Sequence, residues 1–176
     1  MGKNVSWGAQ RLPFAQRGQV PLGKTSETSK KTIMEKIKLT EHFTLEEMAQ
    51  SRTAVRLAIR NVPNAQQIAC LKVLCQQVLE PLRKAMGKPV IINSAYRCWL
   101  LNQKVGGARN SQHLKGQAAD IRVTSVAEGR TWFAWLMENT NFDQLIWEHR
   151  KSTYWIHVSC KPDVKMNRHR VITLEK

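Results

Sequence analysis

SQHLKGQAADIRV, residues 111–123, encodes a loop that runs into a strand, and its polar residues constrain how the chain folds around them. His113 and Asp120 are seven residues apart. On an uninterrupted helix that spacing separates them by roughly 10 Å, and on a strand it puts them on opposite faces. Gly116 lies between them and permits a turn, so that a loop histidine and a strand aspartate can converge.

A third polar residue, His157, lies in the strand-like segment WIHVS at 155–159. Two imidazoles and one carboxylate leave the fourth position of a zinc ion open for water, which is the pattern of a catalytic zinc site. The residues alone also permit two ordinary explanations. His113 and Asp120 are equally consistent with a hydrogen-bonded pair, and His157, between two apolar residues, is consistent with a histidine of the core.

Two helices are predicted before this segment. The capping box TLEE at 44–47 predicts a short helix from Leu45. A longer helix is predicted over 64–86, because apolar residues recur there at steps of three and four. Pro81 should kink this helix, and Gly87 should end it. The apolar positions are Ile68, Leu71, Leu74, Cys75, Val78, Leu79 and Leu82.

Short strands dominate the remainder of the chain. A capping box at 125–128 should open a helix that ends near Asn139, and a turn at 151–152 should join two strands as a hairpin. Helices first and antiparallel strands later predict an α+β fold, with an antiparallel sheet packed against helices. The strands are predicted at 89–93, 117–123, 143–148, 154–159 and, as an edge strand, 171–174.

The composition is that of a globular domain, with 176 residues, 42% of them hydrophobic and 23% charged. No run of 18 apolar residues occurs, so no membrane span is predicted. The 28 Lys and Arg exceed the 13 Asp and Glu, giving a net charge of +15. Such a charge attracts nucleic acid, an anionic membrane or an anionic cell wall, or serves solubility alone. It is spread along the chain without a nucleic-acid motif, so we expect no specific nucleic-acid partner.

The first 35 residues differ from the others, since they are rich in Gly, Gln, Ser, Thr and Lys and lack apolar periodicity. Residues 1–38 carry eight Lys or Arg and two Glu, a net of +6. We predict a flexible basic arm over 1–35, with a misassigned start as the alternative, and a folded domain over 36–176. The opening residues contain no apolar signal segment, so we expect no signal peptide and synthesis in the cytoplasm. None of the four cysteines forms a CxxC pair, which argues against a zinc ribbon.

Four segments occur in order: SAYR at 94–97, VGGA at 105–108, SQHLKGQAAD at 111–120 and WIHVS at 155–159. Together they resemble the M15 family of zinc D-Ala-D-Ala carboxypeptidases and phage endolysins, over about residues 39–159. The resemblance is to its short single-domain branch, typified by a start like KLTEHFTLEEM. It implies a hedgehog/D-Ala-D-Ala-peptidase-like fold, a Zn²⁺ cofactor and a peptidoglycan peptide as the substrate.

The resemblance also implies roles for individual residues. His113, Asp120 and His157 match the family's metal ligands. Arg97 matches the arginine that contacts the substrate and stabilises charge at the reacting carbonyl, and Ser111 matches a polar residue that helps to seat the substrate. From the residues alone, a surface ion pair for Arg97 and a loop cap for Ser111 remain the alternatives.

One position departs from the family pattern, in which many members place Asp or Glu three residues before the last histidine as the general base. Here that residue is Tyr154, whose phenol is a poor base at neutral pH. Glu148, on the predicted partner strand, is the substitute catalytic base, with an exposed strand-end carboxylate as the alternative. It shares a face with His157 only if it lies opposite an odd-numbered residue such as Trp155. That pairing needs an even-length connection or a β-bulge.

The sequence therefore predicts a monomeric zinc metallopeptidase that hydrolyses peptidoglycan stem peptides at the bacterial cell wall. The alternative is a catalytically silent zinc domain that binds the wall or another anionic ligand, and the missing acid at Tyr154 is its motivation. Three bonds remain open as the one cut: D-Ala-D-Ala, L-Ala-D-Glu and a cross-link. Both a bacterial enzyme and a phage-encoded lysin fit the pattern.

Overall fold

The computed structural model describes residues 37–173, which form an α+β fold as predicted. The predicted arm at 1–35 lies outside the described residues. One sheet contains five strands in the order β1-β2-β4-β3-β5, and all neighbours are antiparallel except β3 and β5. The strands are Ile92–Ser94 (β1), Ala118–Arg122 (β2), Gln144–Arg150 (β3), Thr153–Ser159 (β4) and Arg170–Thr173 (β5).

The helices before the sheet follow the predicted signals, with one addition, α2. They are Leu45–Ala49 (α1), Arg52–Arg56 (α2), Ala65–Leu74 (α3) and Glu80–Met86 (α4). A π-helical turn, Cys75–Leu79, joins α3 to α4, so one continuous helix covers the predicted span. The carbonyl four residues before Pro81, with which its ring clashes in a regular α-helix, belongs to the π turn. The predicted kink at Pro81 stays a prediction. Gly87 ends α4 with a φ of 63°.

Two further helices, Trp99–Lys104 (α5) and Val126–Asn139 (α6), lie between strands. Helix α5 was not predicted, because its first turn has no side-chain cap to announce it. Helix α6 begins as predicted, with Ser125 Oγ accepting a 3.1 Å hydrogen bond from the Glu128 N–H. The Glu128 carboxylate accepts 2.7 Å bonds from the N–H and hydroxyl of Thr124 and does not return to Ser125, so the predicted capping box is half formed.

The sheet has one apolar and one polar face, because side chains alternate along each strand. The apolar face packs against the long helix and α6, and this layer forms the core. Its buried residues include Ala119, Ile121, Leu145, Ile156 and Val158 of the sheet and Leu71, Leu74, Leu79, Trp132 and Leu136 of the helices. Asp120 and His157 lie on the opposite face, away from this core. Among residues 37–173, no helix has the length and apolar character needed to cross a membrane.

Candidate metal centre and catalytic cleft

The hairpin β3–β4 determines which residues share the polar face of the sheet. A two-residue turn, with Lys151 at a φ of 56°, pairs Arg150 with Thr153. Glu148 consequently lies opposite Trp155 and on the same face as His157. The register condition stated for Glu148 is therefore met without a β-bulge.

The loop before β2 brings His113 to the same place. Residues Gln112–Lys115 form one 3₁₀ turn, and Ser111 Oγ caps it by accepting a 3.3 Å hydrogen bond from the His113 N–H. Gly116 ends the turn with a φ of 70°, a conformation that favours glycine. A Cβ at this position would lie 2.5 Å from the carbonyl oxygen of Gln67 in α3, so the turn packs against the helix at a distance that only glycine allows.

Three ligand atoms converge where this loop meets the sheet. Asp120 Oδ1 lies 3.0 Å from His157 Nδ1 and 3.2 Å from His113 Nε2, and the two nitrogens are 3.2 Å apart. A tetrahedral zinc with bonds of 2.0–2.1 Å separates its ligand atoms by about 3.3 Å. The observed triangle thus has the size of one face of that tetrahedron. In the described part of the chain, this is the one group of His, Cys, Asp or Glu found to be suited to holding a metal ion.

The protonation states in the triangle also suit a cation. His113 Nδ1 lies 2.6 Å from the carbonyl oxygen of Ala95, which can only accept, so Nδ1 carries a proton and Nε2 is the nitrogen that a neutral ring offers to a metal ion. Burial lowers the pKa of His113 and favours the neutral ring, whereas the charge of Asp120 and its contact with the ring oppose that shift. Burial opposes ionisation of Asp120, but His113 and His157 outweigh it and hold the pKa of the carboxyl below its ordinary value. Neutral imidazole nitrogens and a carboxylate oxygen are typical zinc ligands.

Arg97 and Ser111 both lie against this group. The Arg97 Nη2 donates a 3.0 Å hydrogen bond to Asp120 Oδ2, and the Arg97 backbone N–H bonds the carbonyl of His113. Arg97 Nε is buried and has no hydrogen-bond partner among the described residues. The guanidinium is thus paired within the site and not at the surface, while Ser111 has the capping role that was its alternative.

Glu148 is a half-buried carboxylate beside the triangle. Burial raises its pKa; the His157 ring, the Arg97 guanidinium and a hydrogen bond from Trp155 oppose the rise, while Asp120 adds to it. The net effect is a pKa above the ordinary value, which moves the group towards the range of a general base. Tyr154 has the opposite orientation, since its ring stacks on Trp147 and His149 with centroids 5.6 and 5.5 Å away.

All the predicted site residues line one open cleft of about 1220 Å³, which also includes residues 50–53, 91–94, 105–108 and 110–112. The chain thus brings together Arg97, Ser111, His113, Asp120, Glu148 and His157.

A network of hydrogen bonds around Asp143, which no sequence pattern predicted, supports the turn that carries His113. The Asp143 carboxylate is fully buried and accepts hydrogen bonds from Arg168 at 2.6 Å, Gln112 at 2.8 Å and Lys161 at 2.9 Å. Burial raises its pKa, but these bonds outweigh burial and lower the pKa to about 2. Gln112 directly precedes His113, so the network anchors the turn that carries the histidine. Its members lie 18 to 31 residues from Asp143 in the sequence, so no local pattern marks them.

Comparison with known proteins finds the same family that the motifs suggested. One relative is the zinc D-Ala-D-Ala carboxypeptidase of Streptomyces albus G, which is 38% identical over 69 residues. That match covers 39% of this chain and 26% of the relative's length. The family match to peptidase M15 is longer and extends over residues 41–159, from just before α1 to the end of β4. This region contains the three converging ligand residues together with Arg97, Ser111 and Glu148, and the chain belongs to the peptidase M15 family.

Proposed function

We propose that this protein is a zinc-dependent metallopeptidase that hydrolyses peptide bonds in bacterial peptidoglycan stem peptides, as a D-Ala-D-Ala carboxypeptidase or an endolysin-like endopeptidase. The observation that carries the proposal is the convergence of three ligand atoms with a carboxylate, Glu148, on one face of the sheet in an open cleft. The relationship to a zinc D-Ala-D-Ala carboxypeptidase supports the same metal and substrate class.

His113 Nε2, Asp120 Oδ1 and His157 Nδ1 would hold the zinc ion. When bound in such a site, zinc supplies a Lewis acid that lowers the pKa of a water molecule to about 7 and polarises a carbonyl oxygen. The protein keeps the ligands ready for it: the Ala95 carbonyl sets the His113 tautomer, and Arg97 orients the Asp120 carboxylate.

Glu148 acts as the general base in this proposal. It takes a proton from the attacking water and returns it to the leaving amine, and both transfers need a carboxylate on the face that carries His157. Partial burial of Glu148 favours its protonated form relative to that of an exposed glutamate, which suits its uptake of a proton from the water.

Arg97 and Ser111 bind the substrate in this proposal. The Arg97 side chain beside Asp120 is 13% exposed, so part of its guanidinium faces the cleft although its Nε atom is buried, and an N–H of that part is the available donor. That donor suits negative charge that develops on the carbonyl oxygen during attack. Ser111 lies on the cleft wall beside the first histidine, where its hydroxyl can donate to a peptide carbonyl while its oxygen caps the turn.

The remaining parts of the proposal concern where the enzyme works. A net charge of +15 would concentrate the protein on an anionic cell wall. In this proposal the basic arm at 1–35 attaches the protein to the wall, and the domain at 36–176 carries out catalysis. The active form is a monomer.

A catalytically silent zinc domain is the second candidate, and the orientation of Tyr154 is the observation that favours it. Position 154 is three residues before His157, so in the regular strand β4 it faces away from the site. A family member that lost its acid there without a replacement would bind and not cleave. Glu148 on the correct face is the argument against this alternative.

One experiment separates these functions. The purified protein is incubated with peptidoglycan, and the released fragments are identified by mass spectrometry, with zinc, with a chelator and after zinc is restored. We expect new peptide termini that disappear with the chelator and return with zinc, and the fragment masses name the bond. Binding to the wall without any new terminus would contradict the peptidase and support the silent domain.

A further inference from the structure

The cleft is lined by more basic than acidic side chains, and only some of the basic ones form ion pairs. Two are acidic, Asp120 and Glu148, and four are arginines: Arg52, Arg97, Arg122 and Arg168. Arg97 pairs with Asp120, and Arg168 pairs with the buried Asp143. Within residues 37–173, Arg52 and Arg122 have no ion pair or side-chain hydrogen bond, so the cleft presents two cations that nothing in the described structure neutralises.

Although Arg122 is exposed, the pairing of β2 with β4 puts it close to the proposed reacting centre. It is two residues after Asp120 in β2, so both side chains project from the same face, about 7 Å apart along the strand. Arg122 lies opposite Trp155, and Trp155 lies opposite Glu148 on its other side. Arg122, Trp155 and Glu148 therefore form one row across three strands, next to the row that contains Asp120 and His157.

This row also defines a direction for the substrate. In the proposed function Glu148 returns a proton to the leaving amine, so the leaving part of the peptide begins over the row that Glu148 shares with Arg122. One residue of an extended peptide covers about 3.3 Å, so a group one or two residues beyond the scissile bond comes within reach of Arg122. A guanidinium recognises a carboxylate by paired, charge-assisted hydrogen bonds.

We propose that Arg122 is a specificity-determining residue that binds a carboxylate on the leaving side of the scissile bond. The substrate class is then a peptide that carries an anionic group within about two residues after the bond that is cut. Two sources supply this chemistry in a stem peptide: the free C-terminal carboxylate and the free carboxylate of the D-Glu residue. The inference rests on the proposed function and narrows it.

The test uses two pairs of synthetic stem pentapeptides that end in D-Ala-D-Ala. One pair differs only in a free or amidated C terminus, and the other only in a free or amidated D-Glu carboxylate. The zinc-loaded wild type, Arg122→Gln and Arg130→Gln are compared by kcat/KM on all four peptides. Arg130 is an exposed arginine on α6 that does not line the cleft, so its variant controls for the loss of one positive charge.

We expect the wild type to prefer the carboxylate over the amide in one pair by about tenfold or more, which is the range for a hydrogen bond to a charged group. In Arg122→Gln the preference should fall to within about twofold, and in Arg130→Gln it should persist. The pair that shows the effect identifies the source of the carboxylate. Zinc content and melting temperature check that Arg122→Gln is folded, as its exposed position predicts.

Two results would overturn the inference and leave the proposed function standing: a wild type that cleaves without preference in either pair, or a preference that survives in Arg122→Gln. Failure of the proposed function looks different, because the wild type would then cleave none of the four peptides and would release no fragment from peptidoglycan. In that case the assignment of Arg122 falls with it.

Discussion

The buried carboxylate of Asp143 gives a quantitative prediction for stability. Its pKa of about 2 in the folded protein compares with an ordinary value of 3.8. A carboxyl whose pKa is depressed on folding contributes stability that is present above the unfolded pKa and lost as pH falls through the folded one. For Asp143 this contribution is about 2 kcal/mol at neutral pH, and it disappears between about pH 4 and pH 2.

The perturbation is Asp143→Asn, measured against the wild type by urea unfolding at several pH values. A chelator is present throughout, so that zinc release in acid does not contribute. We expect the variant to be less stable by about 2 kcal/mol or more at pH 7, because an amide binds Arg168 and Lys161 less well and presents its own N–H groups to them. The difference in the free energy of unfolding between the wild type and Asp143→Asn should decrease by about 2 kcal/mol as pH falls from 5 to 2.

A matched control is Asp163→Asn, which removes the same charge from an exposed residue that caps a 3₁₀ turn. An asparagine can make the same cap, so this variant should stay within about 0.5 kcal/mol of the wild type. If the difference in the free energy of unfolding between the wild type and Asp143→Asn is the same at pH 5 and pH 2, the loss comes from the geometry of the amide and not from the missing charge. The reasoning about the network would then be refuted.

Three further predictions concern the metal, the base and the arm. Protein purified without chelator should contain close to one zinc per chain, and His157→Ala should lose most of it; full retention by elemental analysis would exclude the three-ligand site. Glu148→Gln should keep its zinc and lose about 10²–10⁴-fold in peptidoglycan cleavage, while Tyr154→Phe, on the other face, should lose little; a wild-type rate in Glu148→Gln would leave the base unassigned. Deletion of residues 1–35 should leave the melting temperature almost unchanged and weaken salt-sensitive attachment to the wall, and a drop of several degrees would mean that the arm is docked on the domain.

Much of the fold could be predicted because its signals are local. Apolar steps of three and four located the long helix, Gly87 marked its end, and a polar pair at 151–152 marked the hairpin turn. The alternation of side chains along a strand showed that Glu148 could share a face with His157 only in certain pairings of the two strands. The observed two-residue turn produces one of these pairings. In each case a few adjacent residues contain the whole physical cause.

What could not be predicted depends on contacts between distant parts of the chain. Asp143 meets Gln112 from 31 residues away and Arg168 from 25, and nothing around Asp143 distinguishes it from an ordinary residue at the start of a strand. Helix α5 lacks a capping side chain, and apolar periodicity does not reveal the π turn that precedes Pro81. Arg122 was likewise not predicted as a cleft residue, because its position in one row with Glu148 depends on the pairing of β4 with both β2 and β3.

The close approach of Gly116 to α3 determines which substitutions this protein can tolerate near His113. The turn that holds His113 rests directly on the backbone of Gln67, and the Gln67 side chain donates a 2.9 Å hydrogen bond to the carbonyl of Leu114. The long helix therefore helps to position His113 at the cleft, in addition to filling the core. A substitution at Gln67, remote from the cleft in sequence, can displace His113 as directly as one beside it. The first turn of α3 therefore belongs both to the framework of the fold and to the support of the candidate metal centre.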